Sequence, residues 1–441
     1  MSDPSRPPPS WYAWYVAGML TLANVSGYID RQILVALVGP IEREFGISDV
    51  QMSYLIGLGF AIFYTLLGLP IARWADRSNR RNIMAGGVAL WSVFTTLCAT
   101  ATSFGRLLLC RIGVGVGEAT INPASISLLS DYFPPERRSR AMSMYSLGVF
   151  LGSGVGYFIG GWVVQLVSVH AAWSVPVIGT IRPWQSAFLA VGLPGFAIAL
   201  LLFTVREPPR AEVRAESARI PIRALAAYVS RHRRVFTMHS VGFAMSALVN
   251  FGIAAWLPTF FRRTYGWDEA AALRIQGLLT MSIGVAAVIF GGWLSDWFVR
   301  RGRIDGPIRV GIIASTGMLV FATAYPLMPT ATLAVIGLAI VNFFAALPWG
   351  AASAAVSEMY PAPIRAQGAA LYFLVLSLLS GTLGPTSVAL FTDHVFGRAG
   401  VRYSLAVVAA VGSSITIILL AGGLDAYRRI VDERNGLIRH R

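Results

Sequence analysis

The chain has 441 residues, 55% of them hydrophobic and only 13% charged, with a formal net charge of +15. A soluble protein of this size would need more charge on its surface, so a soluble multidomain enzyme is excluded. All the cations are arginine, and they gather in alternate loops, which argues for membrane topology and contact with anionic lipid and against nucleic-acid binding.

The N-terminal segment 1–12 begins MSDPSRPPPS. It has no basic n-region and no A-x-A site, and reads as a cytosolic tail kept in the mature protein. Apolar runs then recur at 13–38, 49–72, 83–103, 106–130, 140–165, 185–205, 236–261, 271–297, 308–327, 331–357, 365–391 and 402–423. About 20 apolar residues cross a bilayer as a helix, and these runs are too long and uniform for barrel strands. The expected fold is therefore an all-α integral membrane protein of twelve helices. It divides into a six-helix bundle 13–205, a cytoplasmic linker 206–235, a second bundle 236–423 and a basic cytosolic tail 424–441. Within the linker, IPIRALAAYVS (220–230) reads either as a short amphipathic surface helix or as unstructured chain. The arginine-rich loops at 73–81, 137–140, 206–234, 300–309 and 428–441 place both termini in the cytoplasm of a plasma (inner) membrane. The two cysteines, Cys98 and Cys110, read as buried thiols, with no disulfide framework or metal site.

The two bundles are copies. FGISDVQMSYLIG (45–57) aligns without gaps on YGWDEAAALRIQG (265–277), and the same shift carries Asp76, Arg80 and Arg81 onto Asp296, Arg300 and Arg301. SDYFPPERR (130–138) aligns on SEMYPAPIR (357–365), matching Arg138 to Arg365. Two repeats in the same orientation are related by an axis along the membrane normal, an architecture that places a binding site between the halves near the midplane. This is a transporter plan.

The loop ARWADRSNRRN and its copy GWLSDWFVRRG resemble the G-x-x-x-D-R-x-G-R-R motif of the major facilitator superfamily. The first copy has Ala72 and Asn79 where that motif has glycines, and in the second only Gly292, Asp296, Arg300 and Arg301 match. The resemblance implies a cytoplasmic gate made of Asp76, Arg77, Arg80, Arg81, Arg138, Asp296, Arg300, Arg301 and Arg365. In it, the carboxylates cap helix N-termini and the arginines pair with acidic residues across the halves. The stripe Gly152, Gly156, Gly160, followed by Gly161, permits close helix packing and is expected to contact the other half. It resembles a degraded antiporter motif with Tyr157 in place of proline, so antiport is not inferred. YIDRQIL, the 45–57 segment, ADRSNRR and CRIGVGVGEATINPASISLLSDYFPPERR are similar to the spinster branch of the superfamily, bacterial-type. That similarity implies transport of lysolipids and sphingoid-type lipids, often linked to protons.

Charge inside the spans can be placed independently of the resemblance. Intramembrane charges are unfavourable by about 2.5–3.5 kcal/mol each and usually mark pathways. Arg111 and Glu118 lie two turns apart on one face, about 10.5 Å. Gly115 and Asn122 continue that stripe, with Gly115 leaving a gap for a ligand. Counting rise from the span ends puts Asp30 at the depth of Arg111, so Asp30 is expected to pair with Arg111 or with Arg31, while Glu118 is left without a full-time partner. The repeat maps Asp30 and Arg31 onto Asn250 and Phe251, and Arg111, Glu118 and Asn122 onto Leu338, Ala345 and Trp349. A charged wall (Asp30, Arg31, Arg111, Glu118, Asn122) would thus face an aromatic one (Asn250, Phe251, Asn342, Phe343, Trp349), which suits a ligand with a polar head and an apolar body. Glu118 is the first candidate for proton coupling and Asp30 the second. His239 is read as an interfacial residue.

The expected function is secondary transport of amphiphilic lipids, proton-driven, by a monomer without cofactor, metal or nucleic-acid partner. The alternative is a proton-coupled symporter of small organic anions clamped by Arg31 and Arg111. A membrane enzyme is disfavoured, because H-E-x-x-H, G-x-S-x-G and a P-loop are all missing from the sequence.

Overall fold

The computed structural model describes residues 10–75, 78–169, 173–175, 179–208, 222–361 and 364–434. Among these, nine helices are long and apolar enough to cross a membrane: Asp49–Ala75, Arg140–Leu166, Pro183–Leu202, Arg233–Tyr265, Glu269–Arg300, Gly306–Leu327, Ala331–Met359, Gln367–Phe396 and Arg398–Glu433. Three further segments complete the twelve-helix fold: Ser10–Ala36, Arg80–Cys98, and the broken pair Phe104–Glu118 and Ile121–Tyr132. These are the first, third and fourth spans, and polar residues dilute or interrupt all three. A two-stranded antiparallel hairpin, Trp173–Val175 with Gly179–Ile181, is a small departure from the all-helical expectation. Immediately after it, Arg182 forms an ion pair with Glu44.

The repeat is visible in backbone detail. Gly46 and its copy Gly266 both adopt left-handed φ, at 61° and 67°, where a side chain would be strained. Two residues on, Ser48 and its copy Asp268 both cap the next helix through their side chains. The fourth and tenth spans both break, at Ala119–Thr120 and at Leu347, positions related by the shift that superposes 130–138 on 357–365. At the following loops Arg138 donates to the Phe133 carbonyl at 3.3 Å, and Arg365 to the Tyr360 carbonyl at 3.4 Å.

The chain forms two compact units, residues 1–211 with 268–281, and residues 212–267 with 282–441. The first unit therefore takes in the start of the eighth span, which sequence alone assigns to the second bundle. The reason is glycine packing. A Cβ on Gly154 would fall 2.2 Å from Met281, and one on Gly277 only 2.6 Å from the Gly154 carbonyl. Gly152, Gly156 and Gly160 instead press on the first span, against Tyr28 and Val25, Ile29 and Gln32, and Ala36. Gly152, Gly156 and Gly160, expected to meet the other half, thus pack inside the first unit, whereas Gly161, with Gly154, does meet residues 268–281 of the second half of the sequence. Val16, Leu20, Val88, Val114, Leu128 and Leu202 form the buried core of this unit.

In the second unit the core is Phe236, Phe243, Tyr360, Tyr372, Leu420 and Tyr427. A short helix, Ile222–Arg231, buries Leu225 in that core, and its Tyr228 hydroxyl donates to the Met359 carbonyl at 2.8 Å. His239 is buried here against Phe243 and Tyr372. At the end of this unit that carries the arginine-rich loop 300–309, Asp305 is 1% exposed and accepts from Arg309 at 3.0 Å and from Arg428 at 2.6 Å. Burial alone would raise its carboxyl, but the hydrogen bonds and positive charge of the two arginines outweigh burial and hold it below the usual carboxylate value.

Candidate functional site

The first, third and fourth spans bring the sequence-expected charges of the first unit together. Arg111 donates from Nη1 to Asp30 Oδ1 at 3.0 Å, and both side chains are buried. Thr95, on the third span, donates to the other oxygen of Asp30. Sequence reasoning missed Thr95, because one threonine in an apolar helix carries no periodic signal.

Glu118 is not left alone as expected. Arg31 donates to its Oε2 from Nε at 2.7 Å and reaches it from Nη2 at 2.5 Å. Arg31 comes from the turn next to Asp30, so adjacent residues of the first span reach the fourth span at two depths. Gly27 lies beside this pair, where a Cβ would stand 3.4 Å from Glu118 Oε2, an ordinary contact. The second oxygen, Oε1, is buried without a hydrogen-bond partner among the described residues, as is Arg111 Nε. Gly115 is not the expected ligand gap: a Cβ there would lie 2.8 Å from the Phe60 carbonyl oxygen, and the second span fills the space.

Arg31 is also caged by aromatic rings. Its guanidinium carbon is 4.8 Å from the ring centre of Tyr28, 4.4 Å from Phe60 and 5.0 Å from Tyr64, all within cation–π reach. Phe60 and Tyr64 stack at 5.4 Å. Asn122 fixes this cage by donating to the Tyr64 hydroxyl at 2.6 Å while accepting from the Tyr145 hydroxyl at 2.5 Å. Beside the Arg31–Glu118 pair lies a small cleft with room for about one water, lined by Asn24, Gly27, Tyr28, Trp91, Ile121 and Asn122. A buried ion pair costs desolvation that its attraction barely repays, and one of the two pairs, Arg31–Glu118, lines this cleft.

Of the residues expected on the second unit, Asn250 and Phe251 lie on the seventh span, with Phe251 partly exposed. Asn342 bonds back to the Leu338 carbonyl of its own helix at 3.0 Å. Phe343 packs on Phe290 and Phe344, and Trp349 sits just past the break at Leu347. Asp76 and Arg77 lie outside the described residues. Arg80 is 1% exposed and is bound inside its own unit, to Asp131, to Ser127 at 2.9 Å and to Glu207 at 2.6 Å. The Arg81 backbone N–H donates to Glu207 at 3.3 Å, and its guanidinium lies over Phe203. In the copy, Asp296, Arg300 and Arg301 are exposed, with Arg301 stacked over Trp297 at 4.2 Å. The partners of Arg80 were missed because they lie 51 and 127 residues away along the chain.

Comparison with known proteins agrees with this architecture. The profile of the Major Facilitator Superfamily matches residues 20–385. The crystal structure of a bacterial homologue of the human lysosomal transporter spinster, inward-facing and unoccupied, superposes with a TM-score of 0.82 at 26% identity, covering 97% of this chain and 99% of that one. An MFS-type efflux pump of Mycolicibacterium smegmatis is 26% identical over 417 residues, 93% of this chain and 90% of that protein. Human spinster homolog 1 is 31% identical over 328 residues, covering 69% of this chain and 58% of the human protein. The chain thus spans little more than half the length of that relative.

Proposed function

The chain belongs to the major facilitator superfamily, and from that premise we propose that it carries amphiphilic lipids, of lysophospholipid or sphingoid type, by proton-coupled alternating access. It is an integral membrane transporter, not an enzyme, and it resembles the spinster branch. The observation that carries the finer reading is the Arg31–Glu118 pair, caged by Tyr28, Phe60 and Tyr64 at the edge of a cleft.

The cage and the carboxylate form a receptor for a cation, and Arg31 fills it. A lipid headgroup with an ammonium competes with Arg31 for the rings and for Glu118, while a phosphate competes with Glu118 for Arg31. The phosphate exchange frees Glu118 in a dry environment, whereas the ammonium exchange keeps it paired and frees Arg31. An isolated buried carboxylate is costly as the anion, and taking up a proton removes that cost. Asp30 works the same way through Arg111, with Thr95 holding its second oxygen. Lipid binding and proton binding are thereby alternatives to the same two ion pairs. In this proposal Arg31 and Arg111 anchor the head, Glu118 and then Asp30 carry the proton, and Asn250, Phe251, Asn342, Phe343 and Trp349 take up the apolar body. The arginine-rich loops orient both termini to the cytoplasm of the inner membrane.

Proteoliposomes under an imposed pH gradient test this, with labelled lysophosphatidylcholine, sphingosine and a hexuronate as probes. Uptake of either lipid with a proton flux supports the proposal. Uptake of the hexuronate alone overturns it in favour of an organic-anion symporter.

A further inference from the structure

Cys98 is the last residue of the third span, and Cys110 lies seven residues into the fourth. These spans run antiparallel and are drawn together by glycine. A Cβ on Gly117 would fall 2.7 Å from both the Gly87 carbonyl and the Trp91 amide nitrogen. One turn nearer the connecting loop, a Cβ on Gly113 would fall 2.4 Å from the Phe94 ring. The next turn in the same register sets Cys110 opposite Cys98. Glycine-mediated approach brings the two backbones close, and a disulfide needs Cα atoms roughly 4.4–6.8 Å apart.

We propose that Cys98 and Cys110 form a reversible disulfide, a redox-modification site that fastens the third and fourth spans beside the Asp30–Arg111 pair. Its position gives the link a consequence. Thr95, one turn before Cys98, donates to Asp30, and Arg111, next to Cys110, donates to the same carboxylate. Fastening Cys98 to Cys110 therefore holds both donors on Asp30. The connecting loop 99–103 lies opposite the arginine-rich loops, so the positive-inside rule assigns it to the outer face, where disulfides persist.

The chemistry is thiol–disulfide exchange with an oxidised disulfide donor. Cys98 is fully buried and Cys110 only partly, so Cys110 is the attacking residue. Its thiolate attacks one sulfur of the donor, forms a mixed disulfide and releases one donor thiolate. Cys98, losing its proton, then attacks the Cys110 sulfur and releases the second. Two protein thiols are oxidised, and one donor disulfide is reduced to two thiols.

The test treats the intact protein in nanodiscs with oxidised glutathione, alkylates it under denaturing conditions and maps the peptides by mass spectrometry. An intramolecular Cys98–Cys110 link, reversed by dithiothreitol, is expected. Full alkylation of both thiols, or glutathione left on Cys110 without a link, would overturn the proposal. Cys110→Ser must abolish protection of Cys98, and its partly exposed position makes it the variant that folds if Cys98→Ser does not. The holding role is read from lysophosphatidylcholine transport, expected to slow about fivefold on oxidation in the wild type and not in Cys110→Ser. Equal rates overturn the holding role. If the reduced wild type carries no lysophosphatidylcholine, the lipid reading fails, and a melting temperature unchanged by oxidation then overturns the holding role instead.

Discussion

The first and second units share one plan and differ in what they place inside it. Among the described residues, all six spans of the second half of the chain are long and apolar enough to cross a membrane, whereas only the second, fifth and sixth spans of the first half are. The first, third and fourth spans carry Asp30, Arg31, Thr95, Arg111 and Glu118, where the repeat puts Asn250, Phe251, Leu338 and Ala345 in place of the four charges. The same glycine turn, helix caps, span break and arginine-to-carbonyl bond recur on both sides. The architecture therefore forms without the buried ion pairs. They are an addition to the first unit that the shared plan does not require, and the proposed function gives them a use.

Substituting residues of one unit into the other tests this most directly. Arg111→Ala leaves Asp30 buried and uncompensated, and we expect about 3–5 kcal/mol of lost stability in a detergent melt, together with loss of transport. Joining Asp30→Asn to Arg111→Leu imports the residues of the second unit; stability should return and transport should not. A transporting double variant would break the comparison.

Glu118→Gln keeps the shape and the bond to Arg31 but removes the ionisable group. Proton flux in proteoliposomes should fall about 100-fold with little change in melting temperature. Unchanged flux would remove Glu118 from coupling.

Asp305→Asn probes a pair that serves structure in the second unit, and should cost about 1–2 kcal/mol, kept small by the exposure of Arg428. The sign with pH follows from the depressed carboxyl. Its contribution is complete above the unfolded-state value and is lost only as pH falls through the lower folded-state value. Melts at pH 7 and pH 5 should therefore show the same wild-type-to-variant gap, and the gap should close only in stronger acid. Smallest of all, Tyr64→Phe deletes the hydroxyl that Asn122 holds, and should weaken lipid binding by about 1 kcal/mol, or roughly fivefold in apparent affinity.

Hydropathy and repeats made the fold legible, because a bilayer forces each crossing to be a long apolar helix. Depth was legible too: counting rise placed Asp30 level with Arg111, and the two do pair. Rotation was not. An apolar helix in lipid gives little periodic clue to which face meets which neighbour, so the Arg31–Glu118 pair, the role of Thr95 and the true contacts of the glycine stripe all escaped. The partners of Arg80 escaped for the same reason, since they sit on the fourth span and on the segment after the sixth, and the motif names only the arginine. Cys98 and Cys110 look unrelated in sequence because antiparallel register across a short loop is a property of two helices at once.

The meeting of Gly154 and Gly277 has a consequence for how the molecule is made. A ribosome delivers the first six spans well before residues 268–281 emerge, so the Gly154 and Gly161 face of the fifth span enters the bilayer uncovered. Lipid tails are as apolar as a neighbouring helix, so that face can wait without driving aggregation. A protein cut in the linker and expressed as its first six spans alone would keep that face bare permanently. Co-expression of the remaining six should restore its cover, making biosynthesis of the first unit dependent on the second half of the chain.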